Sequence, residues 1–251
     1  MRERQFADGV GMSARRNGCV AVLFAVVFAV TAGLRADAWS REAPVPLDYH
    51  ATLVNGNVVG STFMIADGLA VTNAHVVRGL SVGATVLIVS STGERARFEG
   101  RLVAVSRTMD MALVAVPSGA LALSGRGDAA PRAGQRVVSA GVDATGGWPA
   151  PRLEVSGTVL QASVSQPAFG PGLVARLPGA RPGFSGGPLF DGEGRLLGMV
   201  TAIRPSRGSA ARPASGFAPR QGIRGGATEA YVLRADAIRA EARRLMRVAG
   251  R

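Results

Sequence analysis

The sequence predicts an all-β domain, on three observations. Runs of Val, Leu, Ile and Thr recur along most of the chain, each too short for a globular helix. Gly, Asp-Gly and Pro separate them at close intervals, as sandwiches and barrels require. The length of 251 residues suits one large β unit, and 47% hydrophobic residues suffice for a sizeable core. Aromatic residues make up only 5%, so Val, Leu and Ala must fill it.

Taken in order, the expected strands are 51–54, 58–65, 85–90, 96–105, 111–116, 136–140, 153–164, 173–177 and 195–203. A turn at Asp67-Gly68 is followed by a further short strand that ends near Thr72, and His75 then opens a helical turn. Residues 121–134, rich in Gly, Ala and Pro, read as a connector. Residues 230–233 close the β part. Ile238, Leu245, Met246 and Val248, with arginines between them, then make 236–248 an amphipathic helix that packs on the second half of the domain.

Three stretches carry chemistry. In Arg181-Pro182-Gly183-Phe184-Ser185-Gly186-Gly187-Pro188, glycines and prolines around one serine describe a tight exposed bend. A hydroxyl there needs a base to take its proton and amide donors for the oxyanion it creates, and Gly183 and Ser185 are the candidate donors. His75, where an apolar strand ends, is the candidate base; His50, in a plain strand pattern, reads as structural. Asp110, at the head of the apolar run Met111-Ala112-Leu113-Val114, is an acid suited to hold an imidazole in one tautomer.

Together, Thr72-Asn73-Ala74-His75-Val76-Val77, Asp110-Met111-Ala112-Leu113 and Pro182-Gly183-Phe184-Ser185-Gly186-Gly187-Pro188-Leu189 resemble the trypsin-like serine proteases. The resemblance is nearest to the disulfide-free bacterial HtrA/Deg branch and spans roughly residues 47 to 240. It implies two six-stranded antiparallel β-barrels, with His75 and Asp110 from the first and Ser185 from the second. It further implies a serine endopeptidase acting through an acyl-enzyme, with Thr201, Ala202 and Ile203 bordering the substrate. Gly179 then occupies the position that carries the selecting acid in trypsins. An uncharged pocket narrowed by Ile203 suggests cleavage after small aliphatic residues. Phe184 departs from the pattern, since digestive relatives have aspartate there to pair with a freed N-terminus, so that activation route is excluded. Only 48 residues follow Ile203, too few for the tail together with the peptide-binding PDZ module common in HtrA relatives. The rival expectation is a catalytically dormant, protease-shaped binding protein of the cell envelope.

Residues 1–38 have the form of an export signal: Arg15 and Arg16, an apolar run from Cys19 to Val30, and Ala36-Asp37-Ala38 for cleavage. The expected product is periplasmic or secreted; the alternative is an uncleaved inner-membrane anchor at 17–34, since 18 residues between Arg16 and Arg35 just reach across a bilayer of about 30 Å. Residues 39–46 read as a linker. Cys19 is the sole cysteine, so the exported chain relies on its core rather than disulfides, and no Cys/His cluster suggests a metal or other cofactor. All 29 basic residues are arginine, and the net charge is +12. Part of that excess lies in 204–228, where arginines alternate with Gly, Ser, Ala and Pro; this is expected to be a mobile surface insertion. Export and the lack of aromatic-interleaved basic motifs argue against nucleic acid. The expected partner is a polypeptide substrate, with assembly into an oligomer left open.

Overall fold

The structure, a computed structural model, describes residues 49–90, 97–123, 126–205 and 228–249. Twelve strands form two closed antiparallel barrels of six, as the resemblance implied. The first comprises β1 (His50–Asn55), β2 (Val58–Ala66), β3 (Leu69–Thr72), β4 (Thr85–Ser90), β5 (Arg97–Val105) and β6 (Ala112–Ala115), closed in the order β1-β2-β3-β6-β5-β4. The second comprises β7 (Arg136–Val142), β8 (Arg152–Gln166), β9 (Gly170–Arg176), β10 (Pro188–Asp191), β11 (Leu196–Pro205) and β12 (Thr228–Arg234), in the order β10-β11-β12-β9-β8-β7. A helix, α1 (Ala235–Ala249), follows β12 directly.

The turn chemistry explains the registers. Asn55 pairs with Val58 across a two-residue loop, where Gly56 adopts φ +56° as a tight hairpin demands. Gly68, at φ +69°, turns β2 into β3 and leaves Thr72 at the end of a buried strand, three residues short of His75. Leu53, Phe63, Ile88, Leu102 and Leu113 fill the first barrel, and a separate cluster around Leu173, Leu177, Phe184 and Val232 fills the second. Closure leaves neither sheet with a free edge.

The sequence left Pro188–Asp191 as loop, because two glycines and a proline precede its three apolar or acidic residues. It is β10, paired with β7 on one side and β11 on the other; with Pro188 at its first position the missing N–H costs the ladder little. The expected insertion at 204–228 begins and ends in strand, where Arg204 pairs with Glu229 and Pro205 with Thr228. Its remaining residues, and the segments 1–38 and 39–46 expected to be an export signal and a linker, lie outside the described residues. Among the described residues no helix is long and apolar enough to cross a membrane.

Helix α1 packs on the second barrel, as the sequence reading had it, against β11 and β12, and it also touches β5 of the first. Ile238, Ala242 and Leu245 join the apolar cluster in which Phe63 and Leu102 of the first barrel meet Phe190 and Met199 of the second. Arg239 pairs with Asp128 of the connector and donates to the Ile65 carbonyl at 2.7 Å, tying the helix to the end of β2.

Candidate active site

His75 sits in the 3-10 turn Ala74–Val77 directly after β3, held down by its buried neighbours Val76 and Val77. Asp110 lies in the turn between β5 and β6. The two meet at two points: the His75 backbone amide donates to Asp110 Oδ1 at 3.0 Å, and His75 Nδ1 lies 2.7 Å from Oδ2. Because an ionised carboxylate only accepts, Nδ1 carries the proton and Nε2 keeps the lone pair of the neutral ring. The acid's own backbone is fixed too. Its amide donates to the Phe169 carbonyl at 3.1 Å, and its carbonyl accepts from Asn73 Nδ2 at 2.8 Å. Asp110 is 9% exposed, whereas the His75 side chain is 35% exposed, so the ring remains open to a reactant.

Ser185 is presented by a turn built from backbone. Phe184 N donates to Arg181 O at 3.1 Å, with Pro182 and Gly183 between them and Gly183 at φ +105°, which is the type II pattern. The flanking glycines are forced by crowding. A Cβ on Gly183 would lie 2.3 Å from Val142 O, on Gly186 1.9 Å from Ser61 O, and on Gly187 2.2 Å from Ala140 O. Phe184 points inward, fully buried, against Gly141, where a Cβ would come 2.4 Å from the ring.

The first barrel seats this loop. Ser61 on β2 donates its amide to Ser185 O at 2.8 Å and its hydroxyl to Gly183 O at 2.7 Å, while Thr72 on β3 donates to Ser61 O at 2.8 Å. On the other side Gly186 N bonds Val200 O at 2.9 Å. Pro182 O accepts from Ala144 N at 3.0 Å and Phe184 O from Gly187 N at 2.8 Å. Across a trans peptide the N–H points opposite to the carbonyl, so the Gly183 and Ser185 amides face away from those bonds. Among the described residues neither amide donates to a carbonyl. The Ser185 hydroxyl reaches the Thr201 carbonyl at 3.5 Å, the outer limit of a hydrogen bond, and no bond joins it to His75 among the described residues.

Arg181 bonds Asp143 Oδ2 at 2.9 Å and bridges the turn to the loop after β7. Burial opposes ionisation of Asp143, but hydrogen bonds from the Thr145 hydroxyl and amide and from Arg181 outweigh it, holding the carboxyl below its usual range. Thr201, at a bulge in β11, accepts from Asn73 Nδ2 at 3.1 Å and donates to Met199 O at 3.2 Å. Its neighbours point to opposite faces: Ala202 packs against the first cluster and Ile203 against the second. Gly179, at φ +89°, lies in the turn before the Ser185 loop, its carbonyl accepting from Arg181 Nε at 3.2 Å. His50 is wholly buried; burial first, and Arg152 second, push its pKa down to about 3 and leave it neutral. Among the described residues no cluster of His, Cys, Asp or Glu is arranged to hold a metal.

The sequence reading assigned no role to the side chains of Ser61, Thr72 or Asn73, although all three lie within or beside the stretch around His75. Small polar residues bracketing a strand were the available signal. Their partners, in two cases more than a hundred residues away on a loop and on β11, were not.

The trypsin-like peptidase domain model matches residues 60–199, which takes in His75, Asp110 and Ser185. Among solved structures, the chain is similar to the Rv3671c protease from M. tuberculosis in its active form, at 21% identity, covering 80% of this chain and 82% of that one with a TM-score of 0.56. The inactive form of Rv3671c scores 0.57, so the shared fold does not separate the two states. The HtrA-type protease AlgW with tripeptide matches at 18% identity and TM-score 0.59, over 78% of this chain but only 60% of AlgW. The MamO protease domain from Magnetospirillum magneticum matches at 19% identity and TM-score 0.55, over 78% of this chain and 97% of that one. No curated protein sequence matches the chain. With more than half its length under one family model, and with the double barrel that HtrA-type proteases share, the chain belongs to the trypsin-like peptidase domain family.

Proposed function

We propose that the protein is a serine endopeptidase in which Ser185 is the nucleophile, His75 the general base and acid, and Asp110 the group that orients His75. The observation that carries this reading is the two-point bond between His75 and Asp110, which leaves Nε2 as the basic nitrogen. In the first half-reaction His75 Nε2 takes the Ser185 proton as Oγ attacks the peptide carbonyl. The resulting oxyanion is stabilised by the amides of Gly183 and Ser185, and the imidazolium returns its proton to the departing amine. Water, activated by the same nitrogen, then releases the acyl group and restores the hydroxyl.

The proposed substrate is a polypeptide lying along Thr201, Ala202 and Ile203. With Gly179 uncharged and Ile203 beside the pocket, cleavage follows small aliphatic side chains such as Val or Ala. Peptide-library profiling tests this; cleavage chiefly after Arg would end it. Export by way of residues 1–38 belongs to the same proposal and is tested by N-terminal sequencing of the mature protein.

One observation favours a second reading. The serine hydroxyl is bonded to Thr201 rather than to His75, as a dormant, protease-shaped binder would have it. A fluorophosphonate probe separates the two: a mass shift at Ser185 that Ser185→Ala abolishes supports the enzyme. A wild-type chain that never reacts, under any condition tried, supports the binder.

A further inference from the structure

The turn that carries Asp110 is held from α1. Ile238, Ala242 and Leu245 lie on one helical face and enter the first apolar cluster. Glu241 shares that face and is only 7% exposed. A buried carboxylate is costly unless it is fully partnered, and Glu241 is. Arg244 donates through Nε to Oε2 at 2.8 Å and through Nη2 to Oε1 at 2.7 Å. The Ser106 hydroxyl donates to Oε1, and Thr108 Oγ1 approaches the same oxygen at 3.3 Å. The Arg244 hydrogen bonds, opposed by burial and helped by Ser106, hold the Glu241 pKa down at about 2. The group is therefore a permanent acceptor at any working pH.

A permanent acceptor fixes the polarity of the hydroxyl facing it. Ser106 has one proton and two lone pairs, and with the proton committed to Glu241 the lone pairs are free to receive amides. They receive two: Thr108 N at 3.1 Å and Met109 N at 3.0 Å. Ser106 N to Met111 O at 2.9 Å and Met111 N to Met109 O at 2.8 Å close the turn around Asp110. The Thr108 and Met109 amides that lead into Asp110 thus trace to one serine, and that serine's hydrogen to one glutamate on another element.

We propose that Glu241 is a positioning residue: acting through Ser106, it holds the 106–111 turn so that the Asp110 carboxylate meets both the amide and the ring of His75. The inference rests on the reading of His75, Asp110 and Ser185 as a hydrolytic cluster and adds a dependence of that cluster on the C-terminal helix. A purely structural role for Glu241 is separable from this one, because α1 has a second anchor. Arg239 ties the same helix to Asp128 and Ile65 without touching the turn.

The test compares Ser106→Ala, Glu241→Ala, Glu241→Gln and Arg239→Ala in the full chain, by kcat and KM on a peptide substrate, by melting temperature, and by the low-field Nδ1 proton resonance of His75. Ser106→Ala and Glu241→Ala are expected to lower kcat by about 30- to 100-fold with KM within about 3-fold, since displacements near 1 Å at a reacting group cost that much. Glu241→Gln keeps an acceptor oxygen and should lose only about 3- to 10-fold on the same scale. Arg239→Ala should lower the melting temperature while leaving kcat and the resonance unchanged. Should Glu241→Ala fail to fold, Ser106→Ala and Glu241→Gln decide the matter. A folded Ser106→Ala chain with the parent's kcat and an unmoved His75 resonance overturns the proposal. If the parent never reacts with a fluorophosphonate, the hydrolytic reading falls separately. The resonance then decides alone: its loss in Ser106→Ala upholds the positioning role, and its persistence ends it.

Discussion

The two walls of the candidate site, one from each barrel, are stiffened by different means. On the first barrel, side chains do the work: the imidazole meets the carboxylate, Asn73 holds the Asp110 carbonyl, Ser106 holds the Thr108 amide, and each bond belongs to a residue type. On the second barrel, the nucleophile loop is shaped by carbonyls and amides packed so closely that three positions admit no Cβ. The contrast teaches that one half of the cluster is specified by what its residues carry and the other by what they lack. Substitutions should therefore fail differently on the two sides, chemically on the first and sterically on the second.

The sharpest break of this contrast is Asp110→Asn. The amide is nearly isosteric, so melting temperature should change little, yet kcat should fall by about 10⁴-fold because the imidazole loses its tautomer. A stability loss large enough to explain the activity loss would erase the distinction between the walls. Next come Gly183→Ala and Gly186→Ala, which place a methyl 2.3 Å from Val142 O and 1.9 Å from Ser61 O. With positive φ adding strain of about 1–3 kcal/mol, both activity and melting temperature should drop together. Activity should fall by about 10²-fold, measured on the same peptide.

Ser61→Ala is milder and probes the seam between the walls. Gly183 O loses a hydroxyl donor while the Ser61 amide still holds Ser185 O. The expected cost is about 1 kcal/mol in chemical denaturation, with up to about 10-fold in kcat if the oxyanion donors shift. The smallest effect is acid sensitivity. Glu241 has a folded pKa depressed from 4.5 to about 2, so its contribution is complete above 4.5 and disappears as pH falls toward 2. Asp143 is depressed in the same direction. Melting temperature should be flat at mildly acidic pH, decline across that window, and decline less steeply in Glu241→Gln.

Much of the fold was legible because closed β-barrels write themselves locally: β-branched runs give strands, and Gly56 and Gly68 mark turns whose φ only glycine adopts easily. The stretches around His75, Asp110 and Ser185 were legible for a similar reason, since each is a contiguous pattern. Strand β10 was not, because glycines that serve the nucleophile loop mask the start of a ladder. Ser61 and Glu241 were hidden for a deeper reason. Ser61 bonds a carbonyl 122 residues onward, and Glu241 reaches a serine 135 residues back. Nothing local distinguishes them from an ordinary strand serine or a solvated helix glutamate. The added contact of α1 with β5 of the first barrel escaped for the same reason, as periodicity gives a face but not every partner.

The seating of residues 183–185 by β2 has a consequence for how the molecule can be divided. The amide and hydroxyl of Ser61 belong to one barrel and the loop they hold to the other, so neither half contains the whole of the proposed site. Cut in the connector between β6 and β7, the chain is expected to give two pieces neither of which holds both Ser61 and the loop it seats.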